Sequence, residues 1–206
     1  MEEVLSIYKR PYNTDHPVIC LDESSKQLVD EVRQPIPMEP GQPERFDTEY
    51  LRNGVANLCI AFEPLAGQRL LAVTDQRKKV DFAHFVKQLV DDHYPKAKSL
   101  VLVMDNLNTH NKSSLYEAFG PEEAKRLADK LDIHYTPKHG SWLNMAEIEF
   151  SHLSRQCLDR RIKSKEILKQ EVSAWTAERN QKKSSMQWRF TVEDARFKLK
   201  RLYPSI

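Results

Sequence analysis

Only five of the 206 residues are glycine, and they are scattered, so no glycine-rich loop is available to cradle a nucleotide phosphate. The three cysteines, Cys20, Cys59 and Cys157, stand far apart without a Cys-x-x-Cys pair. That spacing argues against a zinc site or a disulfide framework and for reduced thiols in a cytoplasmic protein. No apolar run approaches the roughly 18 residues of a membrane span. The amino terminus, Met-Glu-Glu-Val-Leu-Ser-Ile, lacks the basic start and apolar core of a secretory signal. Neither Gly-x-Ser-x-Gly nor His-Glu-x-x-His occurs, which removes a nucleophile elbow and a zinc-protease helix from consideration. Internal repeats are absent too.

Charge of one sign is also scarce overall, since the net value is +2. Its distribution is uneven. From Arg155 to Ile206 there are 14 Lys/Arg against 6 Asp/Glu, a balance of +8, so residues 1–154 carry −6. An acidic body followed by a basic region suits a polyanion that must approach a cluster of carboxylates. With 40% hydrophobic and 30% charged residues, the chain is long enough for one substantial domain with an ordinary core.

The elements are readable in outline. Val18-Ile-Cys-Leu21 is a short apolar run closed by Asp22, and Leu100-Val-Leu-Val-Met104 is another closed by Asp105. Each reads as a buried strand with a carboxylate at its carboxyl edge. Four prolines between Pro35 and Pro43 forbid helix or interior strand there and predict an extended loop. Residues 50–62 and 68–74 read as a hairpin turning at Gly67. Asp81 is placed to cap a helix reaching His93, with Phe82, Phe85, Val86, Leu89 and Val90 on one face. A polar loop over 106–113, a helix over 121–130, a short strand over 133–135 and a turn at 137–140 follow. The next helix carries Glu147 and a stripe of Ala146, Phe150, Leu153 and Cys157. Another spans 165–181 with Leu168, Val172 and Trp175 aligned, and Thr191-Val-Glu-Asp194 is a capping box opening a last helix. This order predicts an α/β fold, a mixed sheet flanked by helices, with Asp22 and Asp105 at strand ends where ligands of such sheets gather.

Three carboxylates from distant segments, two aspartates and a glutamate of the 147 helix, would repel one another unless divalent cations sat among them. Hard cations such as Mg2+ favour oxygen ligands, and a pair of them clamps the attacking and leaving oxygens of a phosphodiester. Glu147 and Glu149 point nearly 200° apart on a helix of about 100° per residue, so only one of them faces the aspartates. Periodicity does not choose between them.

The segments Asp105-Asn-Leu-Asn-Thr-His110 and Pro137-Lys-His-Gly-Ser-Trp-Leu-Asn-Met-Ala-Glu147-Ile-Glu-Phe closely resemble bacterial insertion-sequence transposases related to the mariner elements, within the DDE transposase and retroviral integrase superfamily. Cys20-Leu-Asp22-Glu-Ser, Tyr50-Leu-Arg-Asn-Gly54 and Asp81-Phe-Ala-His-Phe85 extend the resemblance over nearly the whole chain. It implies a ribonuclease-H-like fold and, through the pair Leu143-Asn144, selects Glu147 over Glu149. The implied catalytic and metal-binding triad is Asp22, Asp105 and Glu147, with Asp22 and Asp105 shared between two Mg2+ ions, Glu147 holding one of them, and Mn2+ as an alternative metal. The 41 residues between Asp105 and Glu147 exceed the spacing usual in mariner relatives, and an insertion around 121–130 absorbs the excess. The whole chain is then one catalytic domain, with a core over residues 15–160 and a basic helical extension over 161–206, lacking the amino-terminal helix-turn-helix module of full-length relatives.

The implied function is cleavage of a phosphodiester at transposon ends and attack of the freed 3′-hydroxyl on target DNA, by a homodimer at the bacterial nucleoid and with no membrane involvement. Competing readings are an inactive DNA-binding remnant and a stand-alone nuclease of the same fold. Beyond the triad, Asn106, Asn108 and His110 are candidates to orient water or touch phosphate. Lys138 and His139 are candidate phosphate contacts, and Trp142 is either a stacking platform for an unpaired base or a core residue. Arg155, Arg160, Arg161 and Lys163 are candidates for backbone binding that positions DNA without reading its sequence.

Overall fold

A computed structural model describes residues 1–203, so the last three residues of the expected carboxyl-terminal extension lie outside the described residues. In chain order the elements are α1 (Glu2–Tyr8), β1 (Val18–Glu31), β2 (Tyr50–Glu63), β3 (Gln68–Thr74), α2 (Lys79–Gln88), β4 (Leu100–Met104), α3 (Ser113–Ala118), α4 (Pro121–Asp129), β5 (Leu131–Tyr135), α5 (Met145–Leu153), α6 (Lys165–Gln181) and α7 (Val192–Lys198). The five strands form one mixed sheet in the order β3-β2-β1-β4-β5. β1, β2 and β3 are mutually antiparallel, while β1 runs parallel to β4 and β4 parallel to β5.

The sequence explains which strand sits where. β4 is apolar at every position and buried at every position, as a parallel strand covered on both faces must be. Leu100, Leu102 and Met104 join Ile19 and Leu21 against Phe82, Phe85, Leu115 and Leu127 of the helices on one face. Val101 and Val103 join Cys20 and Phe62 on the other, against Val4 and Ile7 of α1, Met145 and Ala146 of α5, and Ala195 of α7. A third cluster, Leu58, Leu153, Leu168, Val172 and Trp175, seats α6. Among the described residues, no helix is long and apolar enough to cross a membrane.

Several local expectations need correction. β1 does not end at Asp22 but runs on to Glu31, paired with β2 as far as Tyr50. Among the described residues its only strand partner past Asp22 is β2, so this polar stretch needs no continuous apolar run. Asp81 is not the cap of α2. It lies inside the first turn and accepts the Lys78 N–H at 2.9 Å. β5 begins two residues early, at Leu131. Helices α1 and α3, of seven and six residues, went unread because a two-turn segment is shorter than the window that reveals a 3.6-residue period.

The carboxyl-terminal region is fastened to the β2–β3 hairpin. Gly67 has φ +64°, and a Cβ there would stand 2.5 Å from the Lys183 carbonyl carbon, so only glycine admits the approach. Asn180 accepts the Arg69 backbone N–H at 2.9 Å and donates to its carbonyl at 2.8 Å. Arg69 Nη2 donates to the Ser184 carbonyl at 2.7 Å. The Arg69 side chain is fully buried, and its Nε lies 3.1 Å from Oε2 of Glu149, which is buried as completely. Arg179 of α6 approaches the same carboxylate at 2.8 Å. Three charges thus meet in the interior, where removing one partner strands the others. Replacing Glu149 by Gln should lower the free energy of unfolding by about 3 kcal/mol, read by urea denaturation, because two guanidinium groups lose their only buried counter-charge. An unchanged midpoint would mean that solvent already compensates them.

Candidate active site

The acids converge at the carboxyl edge of the sheet. The parallel register pairs Val18 with Val101 and Cys20 with Val103. Carried two residues further, it sets Asp22 level with Asp105. Side chains alternate along a strand, so Asp22 shares the face of Cys20, on which α5 packs, and Glu23 takes the face of Leu21, on which α2 packs.

Glu147 reaches the same edge through the start of α5. Its N-cap is Asn144, completely buried, whose Oδ1 accepts the Ala146 N–H at 3.1 Å. The same side chain donates through Nδ2 to the Leu21 carbonyl at 2.8 Å, one residue before Asp22. Tyr8 of α1 adds a second tie, its hydroxyl donating to the Leu143 carbonyl at 2.7 Å. Glu147 is exposed in the first helical turn, while Glu149 turns away into the buried arginine pair. The helix therefore presents Glu147, not Glu149, toward the aspartates.

The electrostatics bear the strain of this convergence. Burial pushes the Asp22 carboxyl up, an effect opposed by the Glu23 N–H that it accepts at 2.8 Å and reinforced by the charges of Glu147 and Asp105, to about 7. His110 is fully buried, with Nδ1 2.6 Å from Asp105 Oδ1 and Nε2 3.4 Å from Glu23 Oε1. Burial alone would lower its pKa, but the two carboxylates outweigh burial and hold it up at about 9. The His110 ring therefore sits between two acids, Asp105 and Glu23.

Among the described residues, no three His, Cys, Asp or Glu side chains stand together as a ready ligand set. The donor chemistry nevertheless suits a hard divalent cation, because the acids are oxygen donors whose mutual repulsion is written into Asp22.

The other candidates fall into separate groups. Asn106 and Asn108 are exposed after β4, and Lys138 and His139 are exposed after β5, all at the edge that carries the acids. His110, expected among the possible contacts, is buried. Trp142 is 44% exposed and stacks on Trp188 at 6.2 Å and edge-on to Phe190 at 5.9 Å. It is not a core residue. Arg155 and Lys163 are exposed. Arg160 pairs with Glu171 at 2.5 Å. Arg161 is engaged by its own chain, through the Glu31 carboxylate and the carbonyls of Glu49 at 3.0 Å and Asp47 at 2.6 Å. In the sequence, Asn144 and Glu23 stand only as parts of motifs. The N-cap pattern before Met-Ala-Glu was the available signal for the first, and strand alternation for the second.

A model of the DDE superfamily endonucleases matches residues 17–169, which include all three acids. The chain belongs to this family. The fold of this chain is similar to that of the Mos1 transposase in its paired-end complex with the left transposon end, at 17% identity and a TM-score of 0.60 over 88% of this chain and 55% of that one. The Mos1 strand transfer complex is similar at 17% identity and TM-score 0.59, over 89% of this chain and 54% of that one. A Mos1 mariner paired-end complex with Mn gives 17% and 0.59 over 89% and 55%. At such identity the likeness speaks for the fold, which is ribonuclease-H-like, and the chain spans about half the length of these transposases. No curated protein matched.

The raised Asp22 carboxyl has a measurable consequence. The folded chain holds this proton more tightly than the unfolded chain, so its contribution to stability is fully present below the ordinary carboxylate range and is lost as pH rises toward 7. In metal-free buffer Asp22→Asn should raise the unfolding free energy by about 1–3 kcal/mol at pH 8 and change it little at pH 4. Equal effects at both pH values would show that Asp22 is not strained by its neighbours.

Proposed function

We propose that this chain is the catalytic domain of a DNA transposase related to the mariner elements. It cuts phosphodiesters at transposon ends and joins the freed 3′-hydroxyl to target DNA. The observation that carries the reading is the meeting of Asp22, Asp105 and Glu147 at one sheet edge, inside the segment matched by the endonuclease family.

Asp22, Asp105 and Glu147 are the residues that would hold two Mg2+ ions, for which Mn2+ would substitute. When bound, such ions supply charge stabilisation for the attacking and leaving oxygens. The rest of the chemistry falls to the chain's own groups. Asn144 fixes where Glu147 begins its helix relative to Leu21. Lys138, His139 and Asn108 stand exposed beside the acids and are assigned to phosphate oxygens, with Trp142 available to stack on an unpaired base. Arg155, Arg160 and Lys163, exposed after α5, are assigned to further contacts with the DNA backbone, while Arg161 serves the loop it grips. The unit comprises a core over 15–160 and an extension over 161–206. Two ends handled together call for a homodimer, and the setting is a bacterial nucleoid.

Purified protein given Mn2+ and DNA carrying the element's ends should nick and join strands. Asp105→Asn and Glu147→Gln should each slow cleavage by about 100-fold or more, equivalent to roughly 2.7 kcal/mol of barrier. Cleavage that survives either change would remove that acid from the site.

A further inference from the structure

Two side chains next to the acids have no part in the chemistry just described. Glu23 follows Asp22 in sequence, yet strand alternation sends it to the opposite face of the sheet. Its side chain is only 6% exposed, and Oε2 is buried with no hydrogen-bond partner. Leaving a buried acceptor unpaired is costly, so the placement calls for a reason. Oε1 of the same carboxylate lies 3.4 Å from His110 Nε2. The His110 ring is fully buried, packed 5.1 Å from Phe82, and its backbone carbonyl accepts the Tyr135 hydroxyl at 2.7 Å. The imidazole is therefore held from several sides before it meets Asp105.

What the ring meets is one oxygen of that carboxylate. His110 Nδ1 donates to Oδ1 at 2.6 Å, and among the described residues Oδ2 receives no hydrogen bond. The Asp105 side chain is 35% exposed at this point, so its second oxygen is the one offered to solvent. We propose that His110 and Glu23 form a clasp beneath the sheet that fixes the rotamer of Asp105, so that it presents Oδ2 alone as a ligand to a divalent cation. Both are positioning residues and touch neither cation nor DNA. Asp22-Glu23 thus divides its labour by parity, one acid facing the cation and its neighbour steadying the ligand from the opposite face of the sheet. Groups that orient a ligand in this way are worth about 10- to 100-fold in metal affinity. The inference rests on the reading of Asp105 as a metal ligand.

The test uses the whole chain and Mn2+ alone, titrated by electron paramagnetic resonance of the free ion, with circular dichroism to check folding. His110→Leu should weaken Mn2+ binding by about 10- to 100-fold, and His110→Gln, whose amide still donates to Oδ1, should recover most of the loss. Glu23→Gln should weaken it to a lesser degree, and it serves as the decisive variant if His110→Leu does not fold. DNA binding in EDTA should stay at the wild-type level in all three. A folded His110→Leu protein with wild-type Mn2+ affinity, or no rescue by glutamine, overturns the clasp. Asp105→Asn separates the two layers. If it abolishes Mn2+ binding while the clasp variants do not alter it, only the clasp fails. If it too leaves Mn2+ affinity unchanged, the assignment of Asp105 as a ligand fails and the clasp with it.

Discussion

The angle at which α5 is turned about its own axis governs the sheet edge that carries the acids. Two glutamates lie two positions apart on this helix, and they face nearly opposite ways. Glu149 is held in the interior between Arg69 of β3 and Arg179 of α6. Asn144 pins the first turn to the Leu21 carbonyl. With one carboxylate locked inward and the helix start fastened to β1, the remaining acid has a single direction left. A buried trio of charges is a poor source of stability compared with apolar packing. Its use here is directional, because an ion pair tolerates far less rotation than a contact between methyl groups.

The acids themselves are placed against electrostatic preference. The parallel register of β1 and β4, carried past its last pair, sets Asp22 level with Asp105, and Glu147 adds a third charge. The fold answers in two ways. On one side of the sheet the repulsion is left standing, visible in the raised Asp22 carboxyl. On the other side the buried His110 lies between Asp105 and Glu23, and the two carboxylates push its pKa up. The edge is thus under tension toward solvent and braced from beneath, a combination suited to an incoming cation.

Much of this was legible in the residues. The unbroken apolar run of β4, the hairpin around Gly67 and the Leu168–Val172–Trp175 stripe of α6 each carry a local period or turn chemistry that dictates the element. Asp105 at a strand end followed from the same run. The choice of Glu147 did not, because both glutamates flank the apolar stripe equally. It took a family resemblance to select one, and the buried Arg69–Glu149 contact supplies the physical reason. The continuation of β1 to Glu31 was hidden because a two-stranded ribbon needs no apolar alternation. His110 looked like one more polar loop residue. Its burial depends on Phe82 and Tyr135, which lie 28 and 25 residues away along the chain, and no local pattern encodes that.

The family match stops at residue 169, yet the apolar covering of the sheet does not. Met186, Trp188, Phe190, Val192, Ala195 and Leu199 lie over the same face as Val4, Ile7, Cys20 and Val103, and Gly67 is shaped to let the 183–184 backbone nestle against the hairpin. A shortened version cut at the end of the match would leave that face wet and prone to clump. Where the recognisable motif ends and where the folding unit ends are therefore different borders, and the hairpin glycine marks how firmly the second lies beyond the first.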